Sequence, residues 1–240
     1  MNGWTPSRTD PVSLSTQSDY DLKINILFET LNHKHYKPYK TEYKMSVKHS
    51  CTTADYLEWD VAMNLVHRLY RDGEIRMSLL IGCGCFFGLR ISDLLRLTWS
   101  QVLSDEGTFT LREKKTGKRR MVKVNSDFKK HIKDCHDALG VKDDEQNCFR
   151  SQKGTVYSIQ RVNVKLKDIK TKYGIRIEHF STHTLRKTFG RKVFESAGEQ
   201  VEMALVRLME LFNHSSVSIT KRYLGIRQKE LLETYDLLDF

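Results

Sequence analysis

The spacing of apolar residues along the chain changes more than once, and each change predicts a different kind of element. In "TTADYLEWDVAMNLVHRLYRDG", Leu57, Val61, Leu65 and Leu69 recur every four positions, as on one face of a helix. The threonines ahead of an acidic first turn predict its N-cap. The next run, Met77 to Leu89 ("MSLLIGCGCFFGL"), is apolar on all sides. It is too short to cross a bilayer and predicts a buried central helix. "ISDLLRLTWSQV" predicts a further short helix, with Ser92 as its cap.

After Gly107 the pattern turns to strands. Thr108, Phe109 and Leu111, then Met121, Val122 and Val124, flank a Thr116-Gly117 turn and predict a β-hairpin. "GTVYS", Gly154 to Ser158, predicts a third strand. From "SIQRVNVKLKDIKTKYG" onward the chain is helical again. The predicted fold class is mostly α with a small three-stranded antiparallel β-sheet (α+β).

This pattern begins only near residue 51. All three prolines, Pro6, Pro11 and Pro38, precede it. "DLKINILFETL" suits a short strand or helix, and "HKHYKPYKTEYK" reads as a basic linker. Residues 1–50 are therefore expected to be an N-terminal extension, and 51–240 one domain.

Charge narrows the partners. Lys and Arg number 40 against 30 Asp and Glu, a net +10, with a pI near 9.3. Such an excess points to polyanions, nucleic acid first and acidic membrane second. No apolar run suits a signal peptide or a span, so a cytoplasmic location without membrane is expected. The five cysteines, Cys51, Cys83, Cys85, Cys135 and Cys148, form no C-x-x-C and no zinc spacing. No metal and no cofactor is expected.

Several polar residues are candidates for chemistry. Arg90 follows the apolar run in "GLRISDLLRLTW", where alone it would be a snorkelling arginine. "KKTGKRR" sits on the hairpin tip. His183 and Arg186 lie three apart in "STHTLRKTFG". His214 opens "HSSVSITKRYLGI", in which Ser216 can cap a helix and Tyr223 follows nine residues after the histidine. Singly, each fits ordinary packing or a solvated face.

In order, however, G-L-R-I-S-D-L, K-T-G-K, H-T-L-R, N-H-S-S and the later tyrosine resemble the catalytic domain of tyrosine recombinases, the phage-integrase family, and most closely the integrases of mobile elements. The likeness covers about residues 51–235. It implies that Arg90 and Arg186 bind a scissile phosphate. Lys115 is implied as general acid, His183 as an acid/base histidine at the phosphate, His214 as the family's later site histidine and Tyr223 as the nucleophile, with Asp93 supporting the site. Two departures stand out. Arg186 and His214 lie 28 apart, more than the family leads one to expect, with the extra residues in "ESAGEQVEMAL". Only 50 residues precede the domain, too few for the family's usual core-binding domain. The chain then reads as a short recombinase, like those that invert fimbrial switches, or as a truncated integrase.

The residue types suit the implied chemistry. Charge building on an attacked phosphodiester can be gripped by two arginines through bidentate hydrogen bonds. A tyrosine, with a free pKa of about 10, needs cationic neighbours and a base. The departing 5′-oxygen needs a proton, which a lysine can give. The 3′-phosphotyrosine product keeps the bond energy, so neither ATP nor metal is required. Lys118, Arg119, Arg161, Lys165, Lys172, Lys187 and Arg222 are candidate contacts to double-stranded DNA, with Lys167 and Lys170 on the same predicted helix as Arg161. The resemblance further implies a homo-tetramer on DNA. Leu231, Leu232, Leu237 and Leu238 make a C-terminal apolar face that either packs on its own domain or lines a helix exchanged between subunits, and an accessory DNA-bending protein is a candidate partner. Two rival functions stay open: a catalytically silent DNA-binding relic, and a type IB topoisomerase-like enzyme.

Overall fold

The computed structural model describes residues 55–226 and Tyr235. All belong to the second of two units, Cys51–Phe240. "DLKINILFETL", the basic linker and the four leucines of the C-terminal face lie outside the described residues.

Helix α1 spans Trp59–Arg71 and buries Ala62, Leu65, Val66 and Leu69. The expected stripe is shifted: Leu57 precedes the helix, and Val61 is 44% exposed. A four-residue repeat counted from an extended residue falls out of phase with a 3.6-residue turn. The expected threonine cap is also corrected, because Glu58 holds the N-cap position without a side-chain bond. The segment before it is spent on tertiary bonds. Leu57 N donates to Thr188 Oγ1, and Asp55 Oδ2 accepts from Glu178 N and His179 N.

Helix α2, Ile75–Phe87, is the central buried helix that the apolar run predicts. A β-carbon on Gly84 would lie 2.7 Å from Leu185, so glycine lets another helix pack directly against α2. Gly88 ends α2 in the left-handed region at φ 55°, where a side chain is strained and would also strike Phe189. Short helix α3 follows at Ile91–Leu94 with Arg90 at its N-cap. Ser92 is thus inside α3 rather than its cap. Helix α4 spans Trp99–Val102.

Strands β1, Thr108–Arg112, and β2, Arg119–Lys123, pair antiparallel with Phe109 opposite Val122. The sheet has two strands, not three. Val156 of the expected third strand pairs only with Arg150 in an isolated bridge. Ser151 N to Thr155 O and Tyr157 N to Phe149 O close that segment on itself, so it never reaches the hairpin. Helix α5, Ser126–Ala138, is capped by Asn125 and α6, Ile159–Lys172, by Ser158. Then come α7, Thr182–Glu195; a 3-10 turn, Gly198–Gln200; α8, Val201–Phe212; and α9, Val217–Leu224. Ser216 caps α9 as its sequence predicts, accepting from Ile219 N.

The core has two parts. The main one gathers α1, α2, the hairpin, α5 and α6, and α7 joins it through Leu185. The smaller holds Leu205, Leu208, Phe212, Leu224 and Ile226, with Phe189 and Val193 of α7 against it. Helix α7 therefore spans both, and the polar residues of interest lie along the seam. Cys83, Cys85, Cys135 and Cys148 are free and buried, and burial pushes the Cys85 and Cys135 thiols up to about 12, so both are protonated and inert.

Candidate active site

Two helix ends build the site. The last carbonyls of a helix have no partner within it, and they carry the negative end of its dipole. Helices α2 and α8 both end at the seam, α8 with Asn213 in the left-handed region at φ 52°. Three guanidinium groups satisfy these carbonyls. Arg186 donates from Nη1 to Gly88 O at 2.6 Å and from Nη2 to Phe212 O at 3.3 Å. Arg90 Nη2 donates to the same Phe212 O at 3.0 Å. Arg120 donates to Phe87 O and Leu211 O, both at 3.0 Å.

Arg186 is 5% exposed, and its guanidinium carbon lies 4.3 Å from the Phe212 ring centre. Burial lowers its pKa to about 10, so it remains charged at neutral pH. Arg90 spends two of its five N–H groups on protein acceptors, and Arg186 spends two on main-chain carbonyls and also faces the Tyr223 hydroxyl.

A cleft of about 400 Å³ opens in front of these arginines. Arg90, Lys115, His183, Arg186, His214 and Tyr223 all line it. The structure thus brings together all six residues singled out from sequence. Lys115 is exposed on the hairpin turn; neither Lys114 nor Lys118 reaches the cleft lining. Asp93 is 2% exposed, and its Oδ1 accepts from Lys114 N at 2.7 Å. It therefore pins the turn that carries Lys115.

His214 Nδ1 lies 3.0 Å from Thr220 Oγ1, which itself donates to Ser216 O at 3.4 Å. This contact holds the imidazole ring in place at the cleft wall. Burial, then Arg186 and Arg90, lower the His214 pKa. Burial, then Arg186, Lys187 and Lys115, do the same for His183. Both imidazoles are held neutral at pH 7.

The Tyr223 ring packs at 5.4 Å from Phe212 and 5.3 Å from His214. Its buried hydroxyl has no well-formed hydrogen bond among the described residues. Burial raises its pKa, while Arg186 and Arg90 pull the other way. Tyr235 is 73% exposed and does not line the cleft.

The candidate DNA contacts divide. Lys118, Arg119, Arg161, Lys172 and Arg222 are exposed and Lys165 is half-buried. Lys167 is exposed, whereas Lys170 is tied to Glu178 O. Lys187 is corrected: it is only 8% exposed, with its ammonium 5.8 Å from the Tyr223 ring centre.

Four contributors escaped the sequence reading: Glu113, Arg120, Asn213 and Thr220. Glu113 and Arg120 sat in a charged hairpin tip that looked solvated. Asn213 stands beside His214 in the quoted N-H-S-S, and asparagine is the residue besides glycine that enters the left-handed region most readily, which was a usable signal.

The sequence profile of the Phage integrase family matches residues 56–230. The chain belongs to the phage integrase family. Among relatives, it is 28% identical over 149 residues to the tyrosine recombinase XerC of Xanthomonas campestris pv. campestris (strain B100), across 62% of this chain and 44% of that one. It is 32% identical over 151 residues to the probable integrase/recombinase YoeC of Bacillus subtilis (strain 168), across 61% and 76%. The match thus spans less than half of the XerC relative. Of solved structures, the XerA recombinase superposes with a TM-score of 0.61 at 24% identity, over 80% of this chain and 68% of that one. The XerH recombinase bound to a palindromic difH substrate gives 0.58 at 21%, over 94% and 68%. These likenesses establish the phage integrase fold, mostly helical with a small antiparallel sheet. Among the described residues no helix is long and apolar enough to cross a membrane, and no cluster of metal-ligating side chains occurs.

Proposed function

We propose that this phage integrase family member is a site-specific DNA recombinase that cuts and rejoins DNA through a 3′-phosphotyrosine. The observation that carries the reading is the convergence of Arg90, Lys115, His183, Arg186, His214 and Tyr223 on one cleft. Double-stranded DNA as substrate is supported by the net charge of +10 and by relatives such as XerH, whose structure holds its difH substrate.

In this mechanism Arg90 and Arg186 grip the non-bridging oxygens of the scissile phosphate with the N–H groups they have left. His214, held by Thr220, stands beside them in the cleft. Neutral His183 takes up the phenolic proton of Tyr223, and the phenolic oxygen attacks phosphorus. The P–O5′ bond breaks as Lys115 delivers a proton to the departing oxygen. A 5′-hydroxyl of another strand reverses these steps and frees the tyrosine. A bound phosphate also cancels the desolvation cost of the arginines, because their field is then used rather than opposed.

The test is a duplex nicked near the cleavage point, so that a short 5′-hydroxyl fragment diffuses away. An active enzyme accumulates an SDS-resistant protein–DNA adduct, whereas a DNA-binding relic accumulates none. A type IB topoisomerase-like enzyme makes the adduct but never joins strands from two duplexes. Lys115→Ala should slow adduct formation by about 10²–10⁴-fold, the usual worth of general acid catalysis. A 5′-bridging sulfur should restore most of that rate, since a thiolate leaves without a proton. Rescue of Lys114→Ala or Lys118→Ala instead would reassign the acid.

Phosphate contacts should dominate affinity. Removing charge at Arg161 and Lys167, exposed on α6, should flatten the log–log salt dependence by about 0.9 per lost contact. Lys187→Met should leave that slope unchanged, because the side chain is buried. A tetramer that exchanges C-terminal segments, and an accessory DNA-bending protein, remain part of this proposal; native mass and cross-linking on DNA test both.

A further inference from the structure

The carboxylate of Glu113 holds three parts of the cleft wall at once. It stands at the end of β1 and is 2% exposed. Its Oε2 accepts from Arg90 Nη1 at 2.8 Å, Thr116 Oγ1 at 2.8 Å and Asn213 Nδ2 at 3.0 Å. Its Oε1 faces Arg120 Nη1 at 3.5 Å. These donors come from four places in the sequence: the end of α2, the hairpin turn, β2 and the end of α8.

Each link leads to a candidate catalytic group. Arg90 lines the cleft itself. Thr116 is next to Lys115, and Asn213 is next to His214. Asn213 occupies the left-handed position that ends α8 and so sets where His214 starts. Three guanidinium groups crowd this volume, and Glu113 and Asp93 are the carboxylates among them. Without Glu113, Arg90 would keep only the Phe212 carbonyl, and Asp93 alone would remain to offset the three guanidinium charges.

We infer that Glu113 is a positioning residue of the recombinase site, tying Arg90, the Lys115 turn and the Asn213-His214 corner into one rigid unit before DNA arrives. This rests on the recombinase reading for its effect on rate, but not for its effect on rigidity. Glutamine is the informative substitute. Its carbonyl can replace Oε2 only by turning its amide NH₂ toward Arg120, donor against donor. The reverse orientation sets that NH₂ against the Arg90 and Asn213 donors. Either way the negative charge is lost and the volume kept.

Two measurements on the full chain test this. Hydrogen exchange followed by mass spectrometry reads rigidity. In Glu113→Gln, peptides covering 113–118 and 211–216 should both exchange faster, by roughly tenfold, while α6 is unchanged. Faster exchange confined to 113–118 would overturn the inference. Single-turnover cleavage of the nicked duplex reads positioning. The rate should fall by about 10²-fold, since small misplacements in a site cost that much, while DNA affinity stays within about twofold. A loss of affinity as large as the loss of rate would also overturn it. If wild-type protein forms no adduct, the recombinase reading fails, and the exchange result still decides the role in rigidity. Should Glu113→Gln not fold, Thr116→Val removes one donor and leaves the charge. It should loosen the same two segments by a smaller factor, and an unchanged 211–216 segment would again refute the inference.

Discussion

Tyr223→Phe should form no covalent adduct on the nicked duplex while binding that duplex as tightly as wild type. The ring keeps its contacts with Phe212 and His214, and only the hydroxyl is lost. Since that hydroxyl is buried without a good hydrogen bond, its removal should also stabilise the fold, by about 1 kcal/mol. A raised melting temperature together with a dead enzyme is a combination that mere disruption cannot produce. Persistence of the adduct would move the nucleophile elsewhere, Tyr235 being the first alternative to substitute.

Arg186→Lys should be nearly as damaging although it keeps the charge. One ammonium cannot reach Gly88 O, Phe212 O and a phosphate together, and it lacks the flat face that lies over the Phe212 ring. Cleavage should slow by about 10²–10³-fold. Stability should drop by about 1–3 kcal/mol, because Gly88 O becomes a buried acceptor without its donor. The check is single-turnover cleavage alongside urea unfolding. A variant within threefold of wild type on both counts would mean that Arg186 only neutralises charge and that its two-pronged geometry is unimportant.

Much of this was legible from residues alone. The apolar run gave the central helix, the alternation after Gly107 gave the hairpin, and the ordered polar motifs anticipated the lining of the cleft. What failed did so for local reasons. Val61 was misplaced because the helical period was counted from Leu57, which is not helical. Val156 pairs with a near neighbour rather than with the sheet, and nothing in five residues distinguishes these outcomes. Lys187 looks like a surface cation in sequence because its neighbours Asp55 and Tyr223 lie far from it along the chain. Glu113 was unreadable for the same reason: its partners Arg90 and Asn213 lie 23 and 100 positions away.

The arginines are anchored largely on main-chain oxygens: those of Phe87, Gly88, Leu211 and Phe212. No point substitution deletes a peptide carbonyl, so replacements at these positions act through packing and through where the helices stop, not through loss of the acceptors themselves. Inserting or deleting one residue is another matter. It would rotate the final turn of α2 or α8 by about 100° and swing every acceptor away together. The site should therefore suffer more from changes in length than from replacement, and a library of single-residue deletions across positions 84–88 and 208–213 should be far more depleted of active clones than a substitution library over the same two segments.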